Sequence, residues 1–150
     1  MAEIGFYHLT RTGAEVALGR LLGRTLAAGS RALVLCPSPE RVAALDAALW
    51  LCADPDWLPH GTAETGHPEL QPIWLAVAPD SGAAANGARF LFLLDGAESG
   101  ELGRYDRVFD LFDGADEAAV EAARRRWAAA RAAGHALAYW QQTAHGWERK

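Results

Sequence analysis

The residue best suited to covalent chemistry is Cys36, which ends an apolar segment just before a stretch with helical spacing. A thiol at a helix N-terminus can have a lowered pKa and act as a nucleophile. Arg41 follows at a Cys-x4-Arg spacing, which is typical of thiol loops that hold an anion. Pro37 and Pro39 remove two backbone N–H groups that such a loop needs. A thiol-dependent enzyme, rhodanese-like or a transferase, is thus one hypothesis, and a buried core cysteine is the other.

Histidines and carboxylates occur together in the middle of the chain. His60 and His67 share a predicted loop with Asp54, Asp56 and Glu64. A metal ion needs three or more convergent ligands, and loop spacing does not provide that geometry. We therefore expect polar loop histidines and no metal site.

Phosphate-binding motifs are missing from the sequence. Neither GxGxxG nor GxxxxGK[ST] occurs, and the first predicted βα turn, His8 to Gly13, carries a single glycine. Gly96, Gly100 and Gly103 lie in an acidic segment that would repel phosphate. We expect no bound nucleotide or other cofactor.

Arginines and one tryptophan near the C-terminus give the strongest local indication of a binding site. Arg124, Trp127 and Arg131 follow at i, i+3 and i+7, with Val120 one turn earlier on the same helix face. Such a shelf suits a short acidic peptide, because guanidiniums grip carboxylates and the indole packs an apolar anchor. The same residues also fit a plain amphipathic helix in which Trp127 belongs to the core and the arginines complement the helix dipole.

Two further tryptophans lie near the second predicted helix. Trp50 ends that helix, and Trp57 begins the segment Trp57-Leu58-Pro59-His60. A tryptophan in a proline-containing loop is either a core plug or an interface anchor, and both remain open for Trp57. We expect Trp50 to lie in the core.

The totals describe one domain covering residues 1–150. The chain is 51% apolar, which is enough for a core, and its net charge of -5 argues against general affinity for nucleic acid. Cys36 and Cys52 are too few for a disulfide framework or a zinc site. The N-terminus has no secretory pattern, and no apolar run approaches the roughly 18 residues of a membrane span. We therefore expect a cytoplasmic protein.

The elements that must position these residues alternate between strands and helices. The β-α-β-α opening predicts a parallel sheet with right-handed crossovers, hence a Rossmann-like three-layer α/β fold with a mostly parallel central sheet flanked by helices. A long loop is expected over 54–72 and a tail over 146–150. The predicted strands are Ile4–Leu9, Arg31–Cys36, Ile73–Val77, Phe90–Leu94, Arg107–Phe112 and His135–Gln142, and the predicted helices are Gly13–Ala28, Ser38–Trp50 and Asp116–Ala133.

Several short motifs in combination point to a known family. The most telling pair is Leu45-Asp46-Ala47-Ala48-Leu49-Trp50 followed by Trp57-Leu58-Pro59-His60-Gly61. The others are Phe6-Tyr7-His8-Leu9, Asn86-Gly87, Phe90-Leu91-Phe92, Val108-Phe109-Asp110, Ala123 to Trp127, Gly134, Tyr139-Trp140-Gln141-Gln142 and Gly146 to Lys150. From end to end, the chain resembles the chi subunit of bacterial DNA polymerase III holoenzyme.

The resemblance implies an accessory, non-catalytic subunit of a DNA-directed DNA polymerase complex, with a Rossmann-like fold and no nucleotide. It implies a link between the clamp loader and single-stranded DNA-binding protein, whose acidic C-terminal tail ends in an apolar residue with a free carboxylate. Ala128 stands where a lysine often helps to hold the tail, and Arg125 or Arg131 could substitute. The residues implied to bind the tail are Val120, Arg124, Arg125, Trp127 and Arg131.

The resemblance also implies a second interface, with a clamp-loader subunit that is psi or an equivalent. A DinG-like helicase is an alternative partner for some members, while membranes are not expected as partners and direct DNA binding is expected to be small or absent. The residues implied to contact the partner subunit are Trp50, Trp57, Leu58, Pro59 and His60.

Overall fold

Seven strands form one sheet in the computed structural model, which describes residues 2–52, 57–79 and 84–150. Their spatial order is β3-β2-β4-β5-β1-β6-β7; β1 to β6 run parallel, and only β7 is antiparallel to its neighbour. The α/β class with a mostly parallel sheet is therefore confirmed. The strands are β1 (Glu3–Leu9), β2 (Ala32–Cys36), β3 (Ile73–Val77), β4 (Phe90–Leu94), β5 (Arg107–Asp113), β6 (Ala136–Thr143) and β7 (Gly146–Arg149).

Three α-helices, α1 (Ala14–Ala27), α2 (Pro39–Trp50) and α3 (Glu117–Ala132), flank the sheet in the described ranges. Side-chain caps define the starts of two of them: the Ser38 hydroxyl accepts from the N–H of Arg41, and the Asp116 carboxylate accepts from the N–H groups of Ala118 and Ala119. Two short 3₁₀ segments, Pro68–Leu70 and Leu102–Arg104, interrupt the loops.

The sheet is covered on both faces, so successive residues of a strand enter different cores. Leu18 of α1 and Leu45 of α2 pack with Val34 on one face. Phe6 and Val108 belong to the other face, which is covered by α3. This burial on both sides explains why the parallel strands are continuous apolar runs.

A buried ion pair ties α3 to the sheet. Arg126 donates from Nε to Asp110 Oδ2 at 2.7 Å and from Nη2 to Oδ1 at 2.9 Å. The Asp110 side chain is 3% exposed and that of Arg126 11%. Such a pair is costly to break, because neither charge can lose its partner without a large penalty.

The C-terminal segment corrects one prediction. Residues 146–150 were expected to form a tail, but Gly146–Arg149 pairs with β6 as strand β7. Thr143 pairs with Gly146 across a two-residue turn, and the φ of 126° at Gly146 favours glycine. Trp147 packs edge-on against Tyr7, with ring centroids 5.1 Å apart, so the hairpin gains a contact with the core.

Candidate functional site

An open groove of about 220 Å³ lies between α3, the end of β5 and β6. The Trp127 indole stands half-buried in it, edge-on to Phe6 at 5.2 Å and to Tyr139 at 6.0 Å between ring centroids. Trp127 is thus partly core and partly surface, between the two alternatives that spacing left open. The lining residues are Phe112, Val120, Ala123, Arg124, Trp127 and Tyr139.

The arginine side chains of α3 lie in different environments. Arg124 borders the groove with a side chain 71% exposed, and its contact with Glu121 at 3.1 Å is an exposed i, i+3 pair worth little in water. Arg131 is exposed on the same helix face but does not line the groove. Arg126 is turned inward to Asp110.

Arg125 lies on the opposite flank of α3. It lines a second cleft of about 440 Å³, between the helix and the segment around Glu98. The floor of that cleft contains the Asp110–Arg126 pair, and His135 lies at its end, accepting the backbone N–H of Ala2 through Nδ1 at 3.0 Å. Of the five residues predicted to bind a tail, Val120, Arg124 and Trp127 are brought together in the groove, Arg131 extends their face, and Arg125 is separated from them.

Behind the groove lies a pair that local sequence reasoning did not find. His8 Nδ1 and the Tyr139 hydroxyl are 2.5 Å apart, and both rings pack against Phe112. Burial lowers the pKa of His8, and the positive charge of Arg124 lowers it further. Burial raises the pKa of Tyr139. Their 131-residue separation leaves no local signal, and only the pairing of β1 with β6 brings them together.

A second exposed surface lies at the end of α2. Trp50 is 56% exposed and Trp57 66%, with ring centroids 6.4 Å apart. The prediction that Trp50 lies in the core is therefore wrong. Leu45 and Leu49 occupy the buried side of α2, and the next position turns about 100° away from Leu49.

The rest of the predicted partner segment is mostly buried. Leu58 belongs to the core, and Pro59 is half-buried. His60 is buried, with Nε2 at 2.8 Å from Asp46 Oδ1 and Nδ1 at 2.7 Å from the carbonyl of Leu58. Leu58 and His60 therefore support the loop, and Trp50 and Trp57 are the residues that a partner can reach.

The turn between β1 and α1, where dinucleotide-binding folds hold phosphate, is closed by the protein itself. Gln142 Oε1 accepts from three successive N–H groups, those of Thr10, Arg11 and Thr12, at 3.2, 2.9 and 3.1 Å. Gln142 Nε2 donates to the Thr12 hydroxyl at 2.8 Å. The amides that could cradle an anion already have an acceptor.

The thiol hypothesis is contradicted at the same edge of the sheet. Cys36 is fully buried, and burial raises the pKa of its thiol to about 11. A helix N-terminus can lower a thiol pKa, but loss of water around the buried thiolate is the largest cause of the shift at Cys36. Arg41 is held by Glu15 at 2.7 Å and Asp95 at 2.5 Å, so its charge is already neutralised.

The histidines of the middle loop do not converge. His60 is buried with Asp46, while His67 is exposed and 3.6 Å from Glu69. Across residues 2–52, 57–79 and 84–150, no three His, Cys, Asp or Glu side chains are placed to hold a metal ion. Asp54 and Asp56 lie outside the described residues.

Comparison with known proteins identifies the family. A family model for the DNA polymerase III chi subunit, HolC, matches residues 1–138, nearly the whole chain. The chain therefore belongs to the chi subunit family, whose members are accessory subunits of DNA polymerase III. Tyr139, Gln142 and β7 lie beyond the matched residues.

Two further findings bear on the comparison. A search of curated proteins found no match. Within the described part of the chain, no helix has the length and apolar character needed to cross a membrane.

Proposed function

We propose that this protein is a replication adaptor that binds the acidic C-terminal tail of single-stranded DNA-binding protein and links it to the clamp loader of DNA polymerase III. The observation that carries the proposal is the open groove bordered by Trp127 and Arg124 in a member of the chi family. The tail offers an apolar last residue and a free carboxylate, and the groove offers an aromatic wall beside a guanidinium.

The size of the groove supports a peptide end over a small-molecule ligand. Ligand pockets commonly occupy about 300–1,000 Å³, and the groove of about 220 Å³ is smaller than that range. The apolar side chain of the last tail residue can pack against Phe112, Val120 and Trp127. The C-terminal carboxylate of the same residue can then bind Arg124. Burying that side chain contributes about 1.5–3 kcal/mol, and a charged hydrogen bond contributes about as much again.

The exposed pair Trp50 and Trp57 supports a separate interface with the holoenzyme, through psi or an equivalent clamp-loader subunit. Large exposed aromatic side chains are typical anchors of protein interfaces. A DinG-like helicase is the alternative partner. The two surfaces lie on different elements, so one chain can hold both partners at once.

Isothermal titration calorimetry with the tail peptide tests the first interface. Arg124→Ala should weaken binding by about tenfold or more, because it removes a charge-assisted hydrogen bond of roughly 1.5–3 kcal/mol. Raising the salt concentration from about 0.05 M to about 0.5 M should also weaken binding through screening. The matched control is Arg20→Ala, an exposed arginine of α1 on the opposite face of the sheet.

Two outcomes of that experiment separate the alternatives. If the titration shows no heat of binding with the peptide at high micromolar concentration, the result contradicts tail binding. An equal loss of peptide affinity in Arg125→Ala and Arg124→Ala would indicate that the peptide contacts both flanks of α3 and is not confined to the groove. Trp57→Ala should leave peptide affinity unchanged and weaken binding to purified clamp-loader subunits.

A further inference from the structure

The groove has a titratable group directly behind one of its walls. Tyr139 lines the groove, and its hydroxyl is bonded to His8 Nδ1 at 2.5 Å. The charged and titratable groups that face His8 are Arg124 from α3, Asp113 from β5 and Tyr139 itself from β6. His8 contacts two residues that line this groove, Phe112 and Tyr139.

The surroundings of His8 fix where its proton lies in the neutral ring. Gly114 approaches the Nε2 side of the ring so closely that no Cβ could be accommodated there, and its backbone favours the protonated ring. We infer that Nε2 carries the proton of the neutral ring, so that the lone pair of Nδ1 accepts the O–H of Tyr139. In this state the Tyr139 oxygen turns lone pairs toward the groove, which disfavours a carboxylate.

Protonation of His8 at Nδ1 reverses the direction of its hydrogen bond with Tyr139. When Nδ1 is protonated it donates to the Tyr139 oxygen, and the hydroxyl hydrogen is free to turn into the groove as a donor. Arg124 is close enough for its charge to act on both His8 and Tyr139. A carboxylate at this point would then meet a guanidinium and a hydroxyl donor, with an imidazolium behind them.

We propose that His8 takes up a proton from solvent when the carboxylate of a bound peptide enters the groove, and that Tyr139 together with Arg124 then holds that carboxylate. The inference rests on the proposed function, because the carboxylate is that of the tail. It adds a determinant of specificity, since an amide or an ester end cannot stabilise the imidazolium. His8 of β1 and Tyr139 of β6 are paired by the register of these two strands, so the site for the proton depends on that pairing.

The direction of the pH effect follows from the charges. In the free protein, burial and then Arg124 lower the pKa of His8, so the ring is neutral at neutral pH. A carboxylate nearby favours the charged ring and raises that pKa. Binding takes up a proton at any pH between the two values, so affinity rises as pH falls through that window and is level below it. Each unit of pKa difference corresponds to about a tenfold change in Kd.

The experiment is calorimetry of the tail peptide between about pH 5.5 and about pH 8, where the peptide carboxylates stay ionised, in buffers of different ionisation enthalpy. The expected result is uptake of up to one proton and binding about tenfold tighter at the lower pH. His8→Asn and Tyr139→Phe should abolish both effects while retaining residual binding through Arg124. His67→Asn, an exposed histidine next to the far edge of the sheet, should behave as the unmodified protein.

A peptide amide and an NMR titration complete the test. The amidated tail should bind without proton uptake. If a variant fails to fold, the NMR titration of His8 in the unmodified protein, free and bound, still reports whether its pKa rises. Peptide binding that takes up no proton and shows the same pH profile in His8→Asn overturns this inference and leaves the proposed function standing. No peptide binding at any pH overturns both.

Discussion

The molecule has two sites at which an anion could bind beside a helix, and one is closed while the other is open. At the turn from β1 to α1, Gln142 occupies three backbone amides. On α3, the groove beside Trp127 and Arg124 is open, and the Arg124 guanidinium forms an exposed pair with Glu121. Both are shaped by β6, which closes the first site with Gln142 and forms a wall of the second with Tyr139.

The comparison teaches that a fold's usual ligand site does not have to be its functional site. In open α/β sheets, ligands generally bind at the carboxyl ends of the strands. In this chain that edge is filled by its own side chains: Gln142 at the amides, Glu15 and Asp95 around Arg41, and a buried Cys36. The groove beside Trp127 is open instead, and it lies on the flank of a helix, where a peptide can be held.

The largest effect is expected from the Asp110–Arg126 pair, which connects α3 with β5. Arg126→Ala would leave the buried Asp110 carboxyl without its partner, and should lower the free energy of unfolding by about 3–5 kcal/mol. Chemical denaturation of the purified variants measures this loss. The double variant Asp110→Leu/Arg126→Met should recover most of it, because it removes both charges and keeps an apolar contact. A single variant that unfolds like the original protein would show that α3 does not depend on the pair.

A smaller effect is expected at the closed turn. Gln142→Ala removes the acceptor of three amides, of which those of Thr10 and Arg11 can turn to water, so we expect a loss of about 1–2 kcal/mol in the free energy of unfolding. Gln142→Glu should retain most of the stability, because its carboxylate accepts the same bonds. Denaturation at matched pH compares the two. An unchanged stability in Gln142→Ala would mean that the turn is closed without this side chain.

The smallest effect concerns the buried Cys36 thiol, which should not react with an alkylating reagent in the native fold. With a pKa of about 11, only about one thiol in ten thousand is ionised at pH 7, against roughly three in a hundred for an ordinary cysteine. Iodoacetamide should therefore modify the half-buried Cys52 first and reach Cys36 only on unfolding, as mass spectrometry of peptides can show. Stoichiometric labelling of native Cys36 at about pH 6 would restore the thiol-enzyme hypothesis.

The order and type of the elements could be predicted from the sequence, because short-range physics sets them. Apolar runs such as Ala32–Cys36 gave buried strands, and Ser38 and Asp116 marked helix starts through hydrogen bonds within a few residues. The exception was Gly146–Arg149, whose pairing with β6 depends on a two-residue turn without the usual Asn-Gly or Asp-Gly signal.

The candidate site could be predicted only in part. Helical spacing placed Val120, Arg124 and Trp127 on one face, and they do line one groove. Spacing could not show that Arg126 turns inward, since that depends on Asp110 of another element. Nor could it show that no element covers Trp50, which is a property of the assembled fold.

The pleat of β6 makes the groove and the closed β1–α1 turn depend on the same strand register. Alternate residues of a strand face opposite sides of the sheet, and here Tyr139 faces α3 while Gln142 faces α1. A single codon gained or lost between α3 and β6 that shifted the strand's register by one residue would exchange these faces. Tyr139 would then leave the groove, and Gln142 would leave the β1–α1 turn. We therefore expect insertions and deletions in related sequences to be rare between α3 and β6.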